Sequence, residues 1–97
     1  MEIKLTDLNT TINELNKREI KSIHIENEYY WNIPSEDLYN PYKNPANLNL
    51  GQLSDDWNDL LKVASGADDP LISDFIDLAA ILRAIGDLGE LYFFTHK

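Results

Sequence analysis

The chain reads as a small α+β fold, mainly helical, on three observations. Two stretches of the C-terminal half, 54–65 and 70 onward, carry apolar residues at three- and four-residue steps. A short stretch at about 20–26 alternates apolar with polar residues, as a strand with one buried face does. Between them, 29–53 is crowded with rings, prolines and asparagines and suits no long regular element. The predicted architecture is one domain over 1–97: an N-terminal helix, a short β element, a long aromatic-, Pro- and Asn-rich loop, and a C-terminal antiparallel helical hairpin.

The N-terminal helix is expected over 6–18, with Leu8, Ile12 and Leu15 on one face and Thr6 or Asp7 as cap. Asn9, Thr10, Thr11 and Asn13 are mediocre helix formers, so its stability must come from packing. From Ile20 the period becomes two: Ile23, Ile25, Tyr29 and Trp31 alternate with Ser22, His24, Glu26 and Glu28. A strand leaves its backbone groups unpaired unless it has a neighbour, and the β-favouring tail 91–95 is the preferred partner over 2–5. The competing reading continues the first helix through Ile20 and Ile23 and makes the chain wholly helical.

Tyr29, Tyr30, Trp31, Tyr39 and Tyr42 lie among Pro34, Pro41 and Pro45, with five asparagines between Asn32 and Asn49. Ser35 can cap one helical turn, which Pro41 closes. So many rings argue against a free linker, and the loop is expected to be ordered, with several rings buried against the helices. Ser54 is the predicted N-cap of the next helix, Asp55 and Asp56 occupy its first turn, and Ser65-Gly66 stops it. Asp69-Pro70 is the predicted start of the last helix, with a break or cap at Gly86 or Gly89. Its apolar stripe is Leu71, Phe75, Leu78, Leu82 and Ile85, and Trp57, Leu61, Phe75, Leu78 and Leu82 are predicted to form one buried cluster. Arg83, beside the edge of that stripe, is expected to pair with Asp87 one turn on or with an acid from another element.

The hydrophobic share of 43% and charged share of 26% are those of a folded globular chain. No cysteine is present, which excludes disulfides, thiolate nucleophiles and cysteine metal sites and fits a reducing compartment. The N-terminus lacks a basic segment followed by an apolar run, so no signal peptide is expected. The last helix is interrupted by charge throughout, so no membrane span is expected either. The localisation these features suggest is cytoplasmic.

A net charge of −9 opposes binding to a phosphate backbone. The charge is uneven: residues 1–28 hold six acids against four bases, residues 54–97 nine against three. His24 and His96 lack metal-binding spacing, and Asp55, Asp56 and Asp59 lack the alternating donors and glycine of a calcium loop. No serine sits in a nucleophile elbow and no glycine pattern cradles phosphate. No catalytic residue, metal or cofactor is therefore predicted, and the chain is not expected to be an enzyme.

The function expected is that of a small acidic interaction module binding a basic protein partner, as inhibitors and immunity proteins of basic toxins do. The candidate contact residues are Tyr30, Trp31, Tyr39 and Tyr42 in the loop and Asp55, Asp59, Asp68 and Asp69 around the helical hairpin. A second reading is a small-ligand or catalytic module, for which a concave pocket holding Arg83 and a tyrosine would speak. A homo-oligomer whose last helix completes a subunit interface is the third.

Overall fold

The computed structural model describes residues 1–45 and 47–94 and has the small α+β composition expected. Expectations for Thr95 and His96 lie outside the described residues. The chain divides into two compact units, one of Met1–His24 with the residues from Gly89 onward, the other Ile25–Leu88.

In the first unit, α1 (Leu5–Leu15) runs into a 3₁₀ turn at Asn16–Arg18. Lys4, not Thr6 or Asp7, occupies the cap position, and no side chain caps the helix. Thr10 and Thr11 turn their hydroxyls onto the carbonyls of Thr6 and Asp7, 2.9 Å each, satisfying themselves within the helix. None of α1 is buried. Glu19 then takes a left-handed conformation, φ 56°, which ends the helical turn and lets the chain extend into β1 (Ile20–His24).

The partner of β1 is the tail, as the β-branched and aromatic run of the sequence suggests. β4 (Glu90–Phe93) pairs antiparallel with it, Ile23 opposite Leu91 and His24 opposite Glu90, with an irregularity between Ile20 and Ser22. The Arg18 guanidinium lies 4.8 Å from the centre of the Phe93 ring, and His24 meets Tyr92 edge-on. The wholly helical alternative is thereby excluded.

In the second unit the loop contains structure the sequence concealed. β2 (Tyr29–Asn32) and β3 (Asn49–Gln52) pair antiparallel, Tyr30 opposite Gly51 and Trp31 opposite Leu50, and enclose one short helix, α2 (Ser35–Leu38). Pro34, not Ser35, holds the cap position of α2. Inside this turn Asp37 is 7% exposed, and Lys43 approaches its carboxylate at 3.3 Å. The alternation of 20–31 does not continue as one strand: β1 ends at His24, and β2 belongs to a different sheet in the opposite phase, packing Tyr30 and exposing Tyr29 and Trp31.

β3 feeds directly into α3 (Leu53–Ala64), so Gln52 takes the cap position predicted for Ser54. Ser54 instead gives its hydroxyl to the Glu28 carboxylate, which also accepts from Gln52 Nε2 at 2.7 Å, while the Glu28 carbonyl accepts from the Leu53 N–H at 2.7 Å. Glu28 thus secures the strand-to-helix junction, and its negative charge sits where a helix N-terminus favours it. These bonds hold its carboxyl below the usual range, Ser54 contributing most. Gly66 closes α3 with φ 78°, as predicted.

α4 (Asp74–Leu88) begins later than Asp69-Pro70 would have it. The Asp74 carboxylate accepts from the Leu71 N–H at 2.7 Å, which ties the preceding turn to the helix start. Gly86 lies within α4, and Gly89 follows its end. α3 and α4 pack together over a core of Leu53, Ile81 and Ala84, with Ile25, Tyr30, Leu60, Ala80 and Ile85 against it.

This core corrects the predicted cluster. Trp57, Leu61, Phe75 and Leu82 are all substantially exposed. Ile81 and Ala84 lie on the other side of α4 from Ile76 and Ala79. Because α4 is apolar on most of its circumference, periodicity alone did not determine which side turns inward.

Candidate functional site

The helical pair carries a concavity of ≈ 450 Å³ lined by Asp59 and Val63 of α3, by Asp68, Asp69, Leu71 and Ser73 of the connection, and by Asp74 and Asp77 of α4. Five of these eight residues are aspartates, and the described lining includes no base. The local sequence explains the grouping. Asp59 precedes Val63 by one turn, Asp74 precedes Asp77 by three residues, and the Gly66 turn brings the Asp68-Asp69 pair between the two helix ends.

The electrostatics follow from this crowding. Partial burial, and then the charges of Asp56, Asp59 and Asp74, push the Asp77 carboxyl above the usual aspartate range. Asp56 stands beside this group and accepts a 2.6 Å bond from the Tyr30 hydroxyl. Burial, that bond and the charges of Asp56 and Asp77 push the Tyr30 phenol up.

Of the residues singled out from sequence, Asp59, Asp68 and Asp69 come together here. Asp55 is exposed on α3 and is not part of the lining. Asp74 and Asp77 complete the site. Signals for them were present in the sequence: two acids three apart at the start of a helix joined to an acidic turn.

The loop aromatics do not form one surface with these acids. Tyr30 is committed to the core and to Asp56, whereas Tyr42, at 95%, and Tyr39 are almost wholly exposed. The expectation that several rings are buried is corrected accordingly: Trp31 and Tyr29 are also exposed, and Tyr30 alone among the five is packed. The physical reason is that the β2–β3 hairpin presents alternate residues to opposite faces, and only one face meets the helices.

Trp31 lines a second, smaller groove of ≈ 250 Å³ with Tyr30, Asn32, Ile33, Leu38, Ile76, Ala79, Ala80 and Arg83. Arg83 donates from Nε to Asp87 at 2.7 Å, the pairing predicted from their spacing. Among the described residues no group of three or more His, Cys, Asp or Glu is placed to hold a metal ion, and no helix is long and apolar enough to cross a membrane.

The crowding of Asp77 gives a direct expectation. Folding raises the proton affinity of this group, so it favours the folded state below the usual aspartate value of 3.8 and progressively less as pH climbs through its higher folded value. Glu28 has the opposite sign: its contribution is present above the usual value of 4.5 and is lost as pH falls through its lower folded value. Asp77→Asn resembles the protonated carboxyl and can still donate to Asp56. It is expected to raise the thermal midpoint at neutral pH by a few degrees, the scale of ~1 kcal/mol in a chain of this size, and to change it little near pH ~3. Calorimetry across pH checks this, and equal effects at both ends would mean that charge crowding is not the cause.

Compared with protein-family models, curated proteins and solved structures, the chain matches none of them.

Proposed function

We propose that this chain is a non-enzymatic protein-binding module that receives a cationic segment of a partner in the aspartate concavity of the α3–α4 pair. The observation that carries this reading is the convergence of Asp59, Asp68, Asp69, Asp74 and Asp77 around one hollow whose described lining holds no base. An elevated Asp77 carboxyl means that these charges already disfavour one another, so a lysine or arginine entering the hollow relieves repulsion as well as forming ion pairs. The residue types suit an inhibitor or immunity-type protein of a basic partner. Such a field acts mainly on association rate and is screened by salt.

The test uses an oligoarginine peptide as probe and a capture of basic proteins from native lysate. The triple variant Asp59→Asn, Asp69→Asn, Asp74→Asn is expected to slow association by about tenfold or more at low salt and to flatten the salt dependence. Asp55→Asn, outside the lining, should change little. Equal losses in both variants would reduce the effect to overall charge and remove the concavity from the proposal.

The small-ligand reading gains one observation, since the second groove does hold Arg83 and a tyrosine. Its chemistry is less suited to that role. The Tyr30 hydroxyl is engaged by Asp56 and the Arg83 guanidinium by Asp87, and the volume of ≈ 250 Å³ falls below the usual range of ligand sites, about 300–1,000 Å³.

A further inference from the structure

The Asp69-Pro70 pair is left without the task that its sequence suggests. α4 begins at Asp74, so the pair lies in the connection between α3 and α4, outside any helix or strand and exposed at both residues. Had the helix begun at Pro70, the Asp69 side chain would cap it and the Asp69 carbonyl would accept its first intrahelical bond. Neither happens. Among the described residues neither the carboxylate nor the carbonyl of Asp69 accepts a hydrogen bond, and the carboxylate has no ion pair.

The chemistry of the dipeptide then comes forward. Proline makes the peptide nitrogen tertiary, so it has no hydrogen, is richer in electrons and takes up a proton more readily than an ordinary peptide nitrogen. Aspartate is the residue whose carboxylate reaches its own backbone carbonyl carbon through a five-membered ring. In an exposed segment free of hydrogen bonds the side chain can turn onto that carbon, and holding nucleophile and carbonyl in one residue removes the cost of bringing them together.

We infer that Asp69-Pro70 is a self-cleaving bond, which the folded chain hydrolyses in mild acid with Asp69 as the nucleophile. A carboxylate oxygen of Asp69 attacks its own carbonyl carbon and the C–N bond to Pro70 breaks. The proline nitrogen takes a proton from solvent and leaves as a secondary amine. One water then opens the cyclic anhydride left on Asp69, giving its side-chain carboxyl and a new C-terminal carboxyl. The sum consumes one water and no other reagent, in a single turnover of the chain upon itself.

No other bond in the chain combines these features. Pro34, Pro41 and Pro45 follow Ile33, Asn40 and Asn44, so no second aspartate precedes a proline. The other aspartates except Asp68 lie within helices. Asp68 is followed by Asp69, whose nitrogen is the poorer leaving group. The surroundings favour the reaction too: Asp59, Asp68, Asp74 and Asp77 line the same hollow as Asp69, and their field draws protons toward the leaving nitrogen. Cleavage divides that hollow, leaving Asp59 and Asp69 on 1–69 and Asp74 and Asp77 on 70–97, and it parts Leu53 from Ile81 and Ala84 in the core.

The test incubates the full chain with warming at the lowest pH that leaves its circular dichroism native, beside the same chain unfolded by urea at that pH, and follows both by mass spectrometry. Two complementary fragments are expected, 1–69 ending in a free aspartate and 70–97 beginning with proline, at comparable rates in the two samples. Asp69→Glu keeps the charge but requires a six-membered ring, and Pro70→Ala restores a secondary peptide nitrogen. Each should slow cleavage by at least ~10-fold, and both positions are exposed, so the circular dichroism should persist. Cleavage of the unfolded chain alone overturns the inference by showing the bond to be shielded in the fold. So does an intact chain in both samples, cutting spread over other aspartates, or a rate that neither variant lowers.

Discussion

Ile81→Ala is expected to lower the free energy of unfolding by about 2–4 kcal/mol, whereas Ile72→Ala, in the turn before the same helix, should change it by no more than ~0.5 kcal/mol. The two side chains are chemically identical, but Ile81 lies within α4 and Ile72 in the turn before it. Ile81 is 8% exposed and shares the core with Leu53 and Ala84, while Ile72 is 83% exposed. Removing Ile81 therefore takes away apolar burial and leaves a cavity between α3 and α4 that Leu60 and Ile85 fill only in part. Removing Ile72 takes away surface that water already reaches. Denaturant titration at low protein concentration keeps the comparison to the single chain. Phe75 and Leu82, about half exposed, should fall between the two. A larger loss at Phe75 or Leu82 than at Ile81 would reinstate the stripe that periodicity suggests as the buried one.

That contrast also marks how far the fold was legible from residues alone. Helix boundaries governed by local chemistry came through: the Gly66 stop, the approximate span of α3 and the end of α4 before Gly89. The pairing of β1 with the tail followed from composition, since few other stretches had β-favouring side chains. What failed were features determined by tertiary partners. Ser35 and Ser54 look like caps, yet Ser54 serves Glu28, because β3 enters α3 without a turn. Asp69-Pro70 resembles a helix start, but Asp74 and Leu71 close a competing bond four residues on. The side of α4 that turns inward could not be read, since both sides are apolar. The acidic half of the candidate site was legible as local charge density, with Asp59, Asp68 and Asp69 named, but Asp77 required knowing that α3 brings Asp56 and Asp59 against it.

Gly51→Ala is expected to destabilise the chain by about 3 kcal/mol, although alanine ordinarily improves on glycine within a strand. Tyr30 and Gly51 are cross-strand partners in the β2–β3 pair, and the tyrosine ring lies over the glycine. A Cβ at Gly51 would fall on the ring at Cζ, with Cε2 and the hydroxyl oxygen each 2.6 Å away. The ring must then move, and it cannot move alone. Its hydroxyl donates to Asp56 at 2.6 Å and its body packs on the Leu53, Ile81 and Ala84 core. The loss combines strain, a charge-assisted hydrogen bond and part of an aromatic burial. Removing the ring first should reverse the sign: in a Tyr30→Ala background, Gly51→Ala should be neutral or stabilise by up to ~1 kcal/mol, since it then only restricts the unfolded chain. A double-mutant cycle should thus give a coupling of at least ~2 kcal/mol. A spectroscopic readout separates this from general disruption. The Tyr30 phenol is pushed up by burial and by Asp56, so it should ionise later than an ordinary phenol in the parent chain and return toward the ordinary range in Gly51→Ala. Additive stability losses, or a Tyr30 titration that Gly51→Ala leaves in place, would show that the ring does not depend on the missing Cβ.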